Sequence, residues 1–433
     1  MRHAITSLTV LDAQSGQPVF THNEEVGLAT ASCMKTITAA TAYGLLGEDF
    51  RYTTRLGYSG MIKGDTLFGD LVIQGSGDPT LGSWRYESTK MDLLLQQWVE
   101  AVHQAGIRVI AGSVLGDAHV FDTQMLPDGW IWQDVGNYYG AGASGLCWHE
   151  NQYDLHIRPG QQAGEPAALM GTQPPMEQLR LVNELGTGSP GSGDQTYIYA
   201  APYSNLGYVR GTAPAGHPHF QVSGAVPDPA LFCAASLQKA LATAQVKVEQ
   251  PLSTYRLRKL EGGRMPEALH LLSEHHSPSL SPIIHWFLKK SINLYGEQLI
   301  KTIALHQGQP VSTANGVQQE VAYWEQQGLD PDALHIIDGS GLSPGNRVTT
   351  RALARVLFHV RQQSWYNAYF DCLPVIHNIH MKSGHINDVA AYCGYLSSRN
   401  GTPLVFSFIV NNYSGPLHSL SPKIFRLLDA LKK

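Results

Sequence analysis

The sequence lacks any apolar run that approaches the ~20 residues of a membrane-spanning helix, and its longest apolar runs, such as 404–410, predict buried strands. It also has no basic run or stripe. With 30 Lys+Arg against 35 Asp+Glu the net charge is −5, which argues against a nucleic acid partner. The first residues do not show the pattern of a signal peptide, which is a charged region, an apolar region and a cleavage site in succession. We therefore expect a cytosolic protein or one whose export signal was removed before this numbering begins.

Cysteine is scarce, and its spacing is unlike that of a metal-binding or disulfide-rich domain. The five cysteines are an odd number without a Cys-x-x-Cys pair, so neither a zinc ribbon nor a disulfide framework is expected, although a single bridge stays open. The 19 histidines include no His-Glu-x-x-His pattern, and we expect no metal and no cofactor. The apolar fraction of 43% is that of an ordinary globular protein with ample core.

The two ends of the chain share a pattern that the middle lacks. Alternating apolar residues predict a hairpin at 5–20 and strands at 379–383, 389–397 and 404–411. Helical periodicity fills most of 265–362. Strands at both termini predict one antiparallel sheet closed by the two chain ends and flanked by helices, which makes the fold class α+β. The middle, with short strands and turns rich in Gly, Pro and Ser, is expected to be a large insertion.

Three short motifs occur in order along the chain. They are Ser32-Cys33-Met34-Lys35 (Ser-x-x-Lys), Ser291-Ile292-Asn293 (Ser-x-Asn) and Lys382-Ser383-Gly384 (Lys-Ser/Thr-Gly). Ser-x-x-Lys at a helix start places both side chains on one face, one turn apart. A serine hydroxyl needs a base within hydrogen-bond reach to become a good nucleophile. Lysine becomes such a base when burial and a neighbouring positive charge lower its pKa.

The first motif gains its meaning from its surroundings. Lys382 and the helix N-terminus are candidates for the charge that lowers the pKa of Lys35, and backbone N–H groups at the helix start, including that of Ser32, are candidates to hold an oxyanion. The pattern alone is weak, because the segment 236–239 (Ser-Leu-Gln-Lys) matches it as well. That match lies inside a predicted amphipathic helix, where the N–H groups are already bonded, so we interpret it as helix surface.

Two glycine-containing segments match other site motifs but fail on context. Residues 341–345 fit Gly-x-Ser-x-Gly, yet Pro344 lacks the N–H that the α/β-hydrolase oxyanion hole takes from that position. Residues 186–191 fit Gly-x-Gly-x-x-Gly, but we expect no clear strand before them and no helix after them, so a nucleotide site is not predicted. We interpret the first segment as a turn and the second as a flexible loop.

The motif trio is that of penicillin-binding proteins and class A β-lactamases. The whole sequence resembles the D-alanyl-D-alanine carboxypeptidase/endopeptidase family of class C, low-molecular-mass penicillin-binding proteins (peptidase family S13). The resemblance extends to the first helix, a Gly-Asp-Pro loop, the helix after the second motif and a Gly/Ser-rich segment, at 38–47, 75–81, 293–299 and 338–343. It covers nearly the whole chain.

The resemblance implies a role for each residue of the first two motifs. Ser32 would be the acylated nucleophile and Lys35 its base. Ser291 would relay a proton to the leaving D-alanine, and Asn293 would hold the peptide amide. The sequence departs from the family's commoner residues next to these groups, with Cys33 in the first motif and a non-polar residue at the middle of the second, but no reacting group is missing.

The third motif and one further segment are implied to bind substrate. Lys382 and Ser383 would bind the terminal carboxylate, a task that suits a cation and a hydroxyl. The motif ends with Gly384, and the backbone N–H of His385 would be the second oxyanion donor. Threonine is commoner than Ser383, and His385 is less typical of the family, which affects the details of carboxylate binding. Asp134, in a Gly-Trp-Ile-Trp-Gln-Asp segment, resembles the acidic residue that meets the free amine of diaminopimelate.

The family's architecture predicts the domains. A β-lactamase/transpeptidase-like catalytic domain is expected at 1–52 and 262–433. The insertion at 53–261 is expected to be mainly β and to contain two subdomains, one nested within the other at about 82–150.

The function implied is a serine DD-peptidase that cleaves D-alanyl-D-alanine in peptidoglycan stem peptides. Carboxypeptidase and endopeptidase activity on cross-linked peptides use the same machinery and stay open. The family implies a periplasmic or cell-envelope location and β-lactams as covalent inhibitors. A serine β-lactamase is the first alternative, although no clear Glu-x-x-x-Asn segment lies between the first two motifs. A non-catalytic wall-binding protein is the second, and intact Ser32, Lys35 and Lys382 argue against it.

Overall fold

The computed structural model describes residues 3–266 and 268–432, and the chain folds as two compact units. The first comprises Met1–Phe50, Pro127–Gly129 and Ser279–Lys433, and the second comprises Arg51–Leu126 and Trp130–Pro278. The second unit is thus inserted into the first. It extends to Pro278 rather than to the predicted 261, because the strand His270–His276 pairs with the strand Thr53–Lys63 of the same unit.

The regular elements of the described residues follow in chain order. The strands are β1 (Ile5–Asp12), β2 (Pro18–His22), β3 (Thr53–Lys63), β4 (Thr66–Gln74), β5 (Val109–Ile110), β6 (Val114–Asp117), β7 (Gln152–Arg158), β8 (Ala168–Gln173), β9 (Arg180–Gly188), β10 (Gln195–Ala200), β11 (Leu206–Pro214), β12 (Phe220–Ala225), β13 (Lys247–Val248), β14 (Ser253–Thr254), β15 (His270–His276), β16 (Leu334–His335), β17 (Arg347–Val348), β18 (Val375–Ile376), β19 (Ile379–Ile386), β20 (Val389–Ser397) and β21 (Pro403–Asn411). The helices are α1 (Met34–Leu46), α2 (Met91–Gln104), α3 (Trp132–Val135), α4 (Pro229–Thr243), α5 (Tyr255–Leu260), α6 (Leu280–Lys289), α7 (Asn293–His306), α8 (Thr313–Gln326), α9 (Thr350–Val360), α10 (Tyr366–Cys372) and α11 (Leu417–Leu431). Of these helices within 3–266 and 268–432, none has the length and apolar character to cross a bilayer.

The first unit is built on an antiparallel sheet with the strand order β18-β19-β20-β21-β1-β2. Its centre joins the two ends of the chain, since β1 pairs with β21 from Ile5 opposite Asn411 to Asp12 opposite Leu404. The predicted sheet closed by both chain ends is confirmed, and so is the α+β fold class.

Both faces of this sheet are covered, because successive side chains point to opposite sides. Leu8 and Val10 of β1 belong to a buried apolar cluster with Leu428 of α11. Ser7 and Thr9, which alternate with them and point to the other face, bond instead to the Thr350 hydroxyl at the start of α9, at 2.6 and 2.9 Å. Each fully buried large apolar side chain stabilises the fold by about 1.5–3 kcal/mol, so burial on two sides makes the sheet a firm base for β19, which carries the third motif.

Helix α1 is the central helix of the first unit. Every residue from Met34 to Tyr43 is buried, so the helix is covered all round instead of being amphipathic. It packs against α6, α7, α8 and α9. Because it is held on all sides, Lys35 in its first turn has a fixed position.

The second unit is mainly β. One sheet has the order β13-β5-β4-β3-β15, with β6 pairing β4 and β14, and two smaller sheets have the orders β10-β11-β9 and β12-β7-β8. Two strands from the range predicted for an inner subdomain, β5 and β6, pair with β4, β13 and β14 outside that range. The nesting of one subdomain inside the other stays a prediction.

The segment 186–191 corrects one expectation. Strand β9 runs to Gly188 and pairs with β11, so the prediction that no strand precedes this Gly-x-Gly-x-x-Gly match was wrong. The strand is hard to recognise because two of its middle residues, Asn183 and Glu184, are polar and exposed. The next element is the strand β10, whereas a nucleotide site of this kind needs a helix N-terminus there.

Candidate active site

Ser32 lies in a short 3-10 turn, Ala31–Cys33, directly before α1. Ala31 has a φ of +43°, a conformation that strains residues with a side chain. The turn is pressed closely from one side, since a Cβ on Gly341 would lie 1.9 Å from the Ala31 carbonyl oxygen. Packing therefore holds the strained turn in place. The turn presents a partly exposed Ser32 at the N-terminus of α1.

Lys35 brings the first two motifs together. Its Nζ lies 3.0 Å from Ser32 Oγ, 2.6 Å from Asn293 Oδ1 and 2.6 Å from the Ser340 carbonyl oxygen. The side chain is 0% exposed. The amide and carbonyl oxygens are acceptors only, so each takes one N–H of Lys35. The remaining position on the nitrogen points at the serine hydroxyl.

The surroundings of Lys35 suit a base. Burial, which penalises the ammonium form, lowers the pKa of Lys35 well below its usual value, and the positive charge of Lys382 lowers it further. Asp338 and Glu297 act in the opposite direction. A lysine with a depressed pKa offers its lone pair to a hydrogen-bonded hydroxyl at lower pH than an ordinary lysine does.

The second motif lies where α7 begins. Asn293 is the first residue of that helix, and its bond to Lys35 ties α7 to α1. Ser291 comes two positions earlier and has a φ of +58°, a strained backbone position of the kind that clusters at functional sites. Sequence reasoning placed both residues in the site, and the structure brings Asn293 into direct contact with Lys35.

The third motif lies next to the first. Lys382 on β19 is 2% exposed, and its Nζ donates to the Ser383 carbonyl oxygen at 2.7 Å. Cys33 donates from Sγ to the Lys382 carbonyl oxygen at 3.4 Å. Burial lowers the pKa of Lys382, and this side chain is the neighbouring cation that lowers the pKa of Lys35.

Gly384 allows β19 to run directly along the nucleophile turn. A Cβ at this position would lie 2.6 Å from the Thr30 carbonyl oxygen, 2.7 Å from the Ser32 nitrogen and 2.8 Å from the Cys33 nitrogen. No side chain larger than hydrogen fits such distances. The next residue, His385, places its imidazole Nε2 3.2 Å from the Tyr392 hydroxyl. Its backbone N–H as an oxyanion donor stays a prediction.

Three residues of this site had no predicted role. Ser340 supplies the carbonyl oxygen that holds Lys35, and Asp338 fixes the same loop by accepting from the Gly341 N–H at 2.7 Å. Glu297 accepts from the Gly339 N–H at 3.3 Å. The sequence signal was the Gly/Ser-rich segment that contains Asp338 and Ser340. Its function depends on a tertiary contact between residues 305 positions apart, which local patterns do not encode.

Asp134 belongs to the second unit, where it lies in α3. Burial raises the pKa of its carboxyl group. The segment just before it, Pro127–Gly129, belongs to the first unit, and the Gly129 carbonyl oxygen accepts from Ser343 Oγ at 3.1 Å. In the chain, Asp134 therefore comes five residues after Gly129, which is hydrogen-bonded to the loop that also contains Ser340.

The residues of the first unit form a set with a definite chemical capacity. Ser32 is a hydroxyl nucleophile, Lys35 a base in contact with it, and Asn293 a hydrogen-bonding amide in contact with that base. Lys382 adds a cation. Such a set can transfer an acyl group through a serine ester, and the cation favours a substrate that carries a carboxylate.

Comparisons with known proteins agree with this chemistry. The model of the D-Ala-D-Ala carboxypeptidase 3 (S13) family matches residues 1–378. The D-alanyl-D-alanine carboxypeptidase of Actinomadura sp. (strain R39) is 27% identical over 95% of this chain and 79% of its own length. The D-alanyl-D-alanine carboxypeptidase DacB of Haemophilus influenzae is 22% identical over 93% of this chain and 85% of its own. The crystal structure of penicillin binding protein 4 (dacB) from Haemophilus influenzae covers 96% of this chain and 92% of its own, with a TM-score of 0.82 and 20% identity, which confirms the predicted fold.

Proposed function

The chain belongs to the D-Ala-D-Ala carboxypeptidase 3 (S13) family, and from this premise we propose that it is a serine DD-peptidase with Ser32 as its nucleophile. The family and its relatives make the protein a serine-type D-alanyl-D-alanine carboxypeptidase. The assignment of residues is supported above all by one observation. Lys35 Nζ lies 3.0 Å from Ser32 Oγ while two acceptor-only oxygens hold it from other sides.

Acylation starts from the neutral form of Lys35. Two N–H groups of the amine donate to Asn293 and Ser340, so its lone pair faces the hydroxyl of Ser32. As Ser32 Oγ attacks the carbonyl carbon of the penultimate D-alanine, its proton moves to Lys35 Nζ. The carbonyl oxygen becomes an oxyanion, for which the backbone N–H groups of Ser32 and His385 are the proposed donors.

Collapse of the tetrahedral intermediate needs a proton on the leaving amine. We assign this transfer to Ser291, which passes a proton from Lys35 to the departing D-alanine nitrogen. Asn293 holds the amide of the substrate with the part of its side chain that does not bind Lys35. Water then attacks the ester, with the machinery working in reverse, and the shortened peptide leaves.

The third motif provides the recognition of the C-terminus. Lys382 is a buried cation on the strand next to Ser32, and the Ser383 hydroxyl lies in the same motif. A carboxylate bound there would replace the neutral Ser383 carbonyl as the acceptor of Lys382 and form a hydrogen bond in which both partners are charged. The substrates proposed are peptidoglycan stem peptides, and the place of action is the periplasm or cell envelope.

The test of this function is covalent labelling of the folded protein. We expect benzylpenicillin to add one mass increment in intact-protein mass spectrometry and to map to the peptide that contains Ser32. A peptide ending in D-alanyl-D-alanine should release free D-alanine. A β-lactam complex of Haemophilus influenzae penicillin binding protein 4 is the precedent for this choice of probe.

The two alternatives predict different results in the same experiment. A β-lactamase would turn over nitrocefin rapidly and accumulate little adduct. A non-catalytic wall-binding protein would show neither a mass increment nor D-alanine release, although circular dichroism showed it to be folded. Either result would contradict the proposed DD-peptidase function.

Asp134 is proposed to bind the free amine of the diamino acid in the peptidoglycan stem peptide. We expect Asp134→Ala to lower cleavage of a stem peptide with a free diaminopimelate amine by about 10- to 100-fold, the range of a hydrogen bond to a charged group. Cleavage of the same peptide with that amine acetylated should change little. Asp65→Ala, in an exposed turn of the same unit, serves as the control. Equal losses on both peptides would show that Asp134 has a structural role only.

A further inference from the structure

Lys35 is linked to a buried carboxyl group through the dipeptide segment Gly339–Ser340. Glu297 is 0% exposed and lies on α7, one turn after Asn293. Its Oε2 accepts from the Gly339 N–H at 3.3 Å, and the Ser340 hydroxyl also bonds to it. The carbonyl oxygen of the same Ser340 receives the hydrogen bond from Lys35 at 2.6 Å. Glu297 therefore holds the peptide that holds Lys35.

The packing fixes this peptide from both sides. A Cβ on Gly296 would lie 2.8 Å from the Gly339 carbonyl oxygen, and one on Gly339 would lie 2.5 Å from the Gly296 carbonyl oxygen. Thr38 on α1 donates to the same Gly339 oxygen at 2.8 Å. Close-packed parts of this kind move together, so a change at Glu297 is transmitted to Lys35.

The charges around this peptide come from several elements. The titratable groups are Lys35 and the Cys33 thiol at the start of α1, Asp338 in the loop, Lys382 on β19 and Glu320 on α8. The buried Lys301 follows Glu297 by one turn of α7. Burial and the nearby Asp338 raise the pKa of Glu297 to about 8. A negative charge on Glu297 counteracts the lowering of the Lys35 pKa by burial and by Lys382. Glu297 and Lys35 thus influence each other's protonation.

We propose that Glu297 is a positioning residue for the proton transfer from Ser32 to Lys35, an inference that rests on the proposed function. Its carboxyl group keeps the Ser340 carbonyl oxygen against Nζ, so the lone pair of Lys35 stays directed at Ser32. When the Ser32 Oγ–carbon bond forms and the proton arrives on Nζ, the new ammonium is stabilised by Glu297 in its carboxylate form, which prevails above about pH 8. The proton later leaves for the departing amine, which restores the starting state.

The test compares acylation by benzylpenicillin from pH 5 to pH 10 in the wild type, Glu297→Gln and Glu297→Ala. Acylation requires neutral Lys35, so its rate rises with pH along an acid limb. Glutamine keeps an acceptor but cannot take the negative charge that Glu297 gains above about pH 8, so the part of the limb above that pH should move to lower pH by about 1 unit. Alanine also removes the hydrogen bonds to Gly339 and Ser340. The rate of acylation should therefore fall by about 10-fold or more at every pH. Glutamine should restore most of that loss.

The matched control is Glu150→Gln. Glu150 is also fully buried, but it lies in the second unit and bonds to Ser83 and Arg85. It should change the unfolding midpoint and leave the acid limb in place. Acylation by a folded Glu297→Ala protein at the wild-type rate would overturn the inference. Absence of acylation in the wild type itself would instead overturn the proposed function, so the two failures are distinguishable.

Discussion

Ser32→Ala is expected to abolish the penicillin adduct and to lower D-alanine release by about 10⁴-fold or more, as loss of a serine nucleophile does in other acyl-transfer enzymes. The physical reason lies in the partners of Lys35. Of the three oxygens bonded to its Nζ, those of Asn293 and Ser340 belong to amide groups, and only Ser32 supplies a hydroxyl. No other bonded partner can take over the attack. Intact-protein mass spectrometry and a D-alanine assay measure the two losses.

The chain contains its own control for this variant, since Ser236 and Lys239 repeat the Ser-x-x-Lys spacing inside α4. The Ser236 hydroxyl accepts from the Trp148 indole N–H at 3.0 Å and donates to the Phe232 carbonyl oxygen at 2.9 Å. Ser236→Ala should keep the adduct and lose about 1–3 kcal/mol of stability, because a buried donor loses its partner. An adduct that survives in Ser32→Ala and disappears in Ser236→Ala would contradict the assignment.

The contrast between these two serines shows what the sequence could predict. The helix start at Ser32 is visible locally, because small residues precede an apolar run, and the interior position of Ser236 is visible from its amphipathic surroundings. The strands that close the sheet, β1 and β21, were predictable as well, since apolar residues alternate in both and the pairing follows from their places at the two chain ends. These features depend on local periodicity, which a single sequence carries.

The features that the sequence could not provide depend on contacts between distant segments. The membership of strand β15 in the second unit rests on its pairing with β3. Strand β9 carries polar residues and is recognisable only beside β11. The link from Glu297 through Ser340 to Lys35 needs α7, a loop and α1 to meet at one peptide. A motif search finds reacting groups, whereas the groups that position them are defined by packing.

Gly384→Ala is expected to lower the rate of acylation by about 100-fold, because misplacing a reacting group by a fraction of an ångström to an ångström has effects of this size. The new methyl group would meet backbone atoms of Thr30, Ser32 and Cys33 at 2.6 to 2.8 Å, and backbone cannot swing aside as a flexible side chain does. Strand β19 and the nucleophile turn must therefore separate. That movement shifts Lys382 relative to Lys35 as well as the Ser32 N–H proposed for the oxyanion.

Gly186→Ala is the matched control for this substitution. Gly186 also lies within a strand, β9, but the nearest atoms to a Cβ there are 3.8 Å away, an ordinary contact distance. We expect its acylation rate and unfolding midpoint to equal those of the wild type, whereas Gly384→Ala should also lose about 1–3 kcal/mol of stability from overpacking. Stopped-flow acylation and thermal unfolding measure the two effects separately. Wild-type acylation by a folded Gly384→Ala protein would mean that the close approach of β19 to Ser32 does not determine the geometry of the reaction.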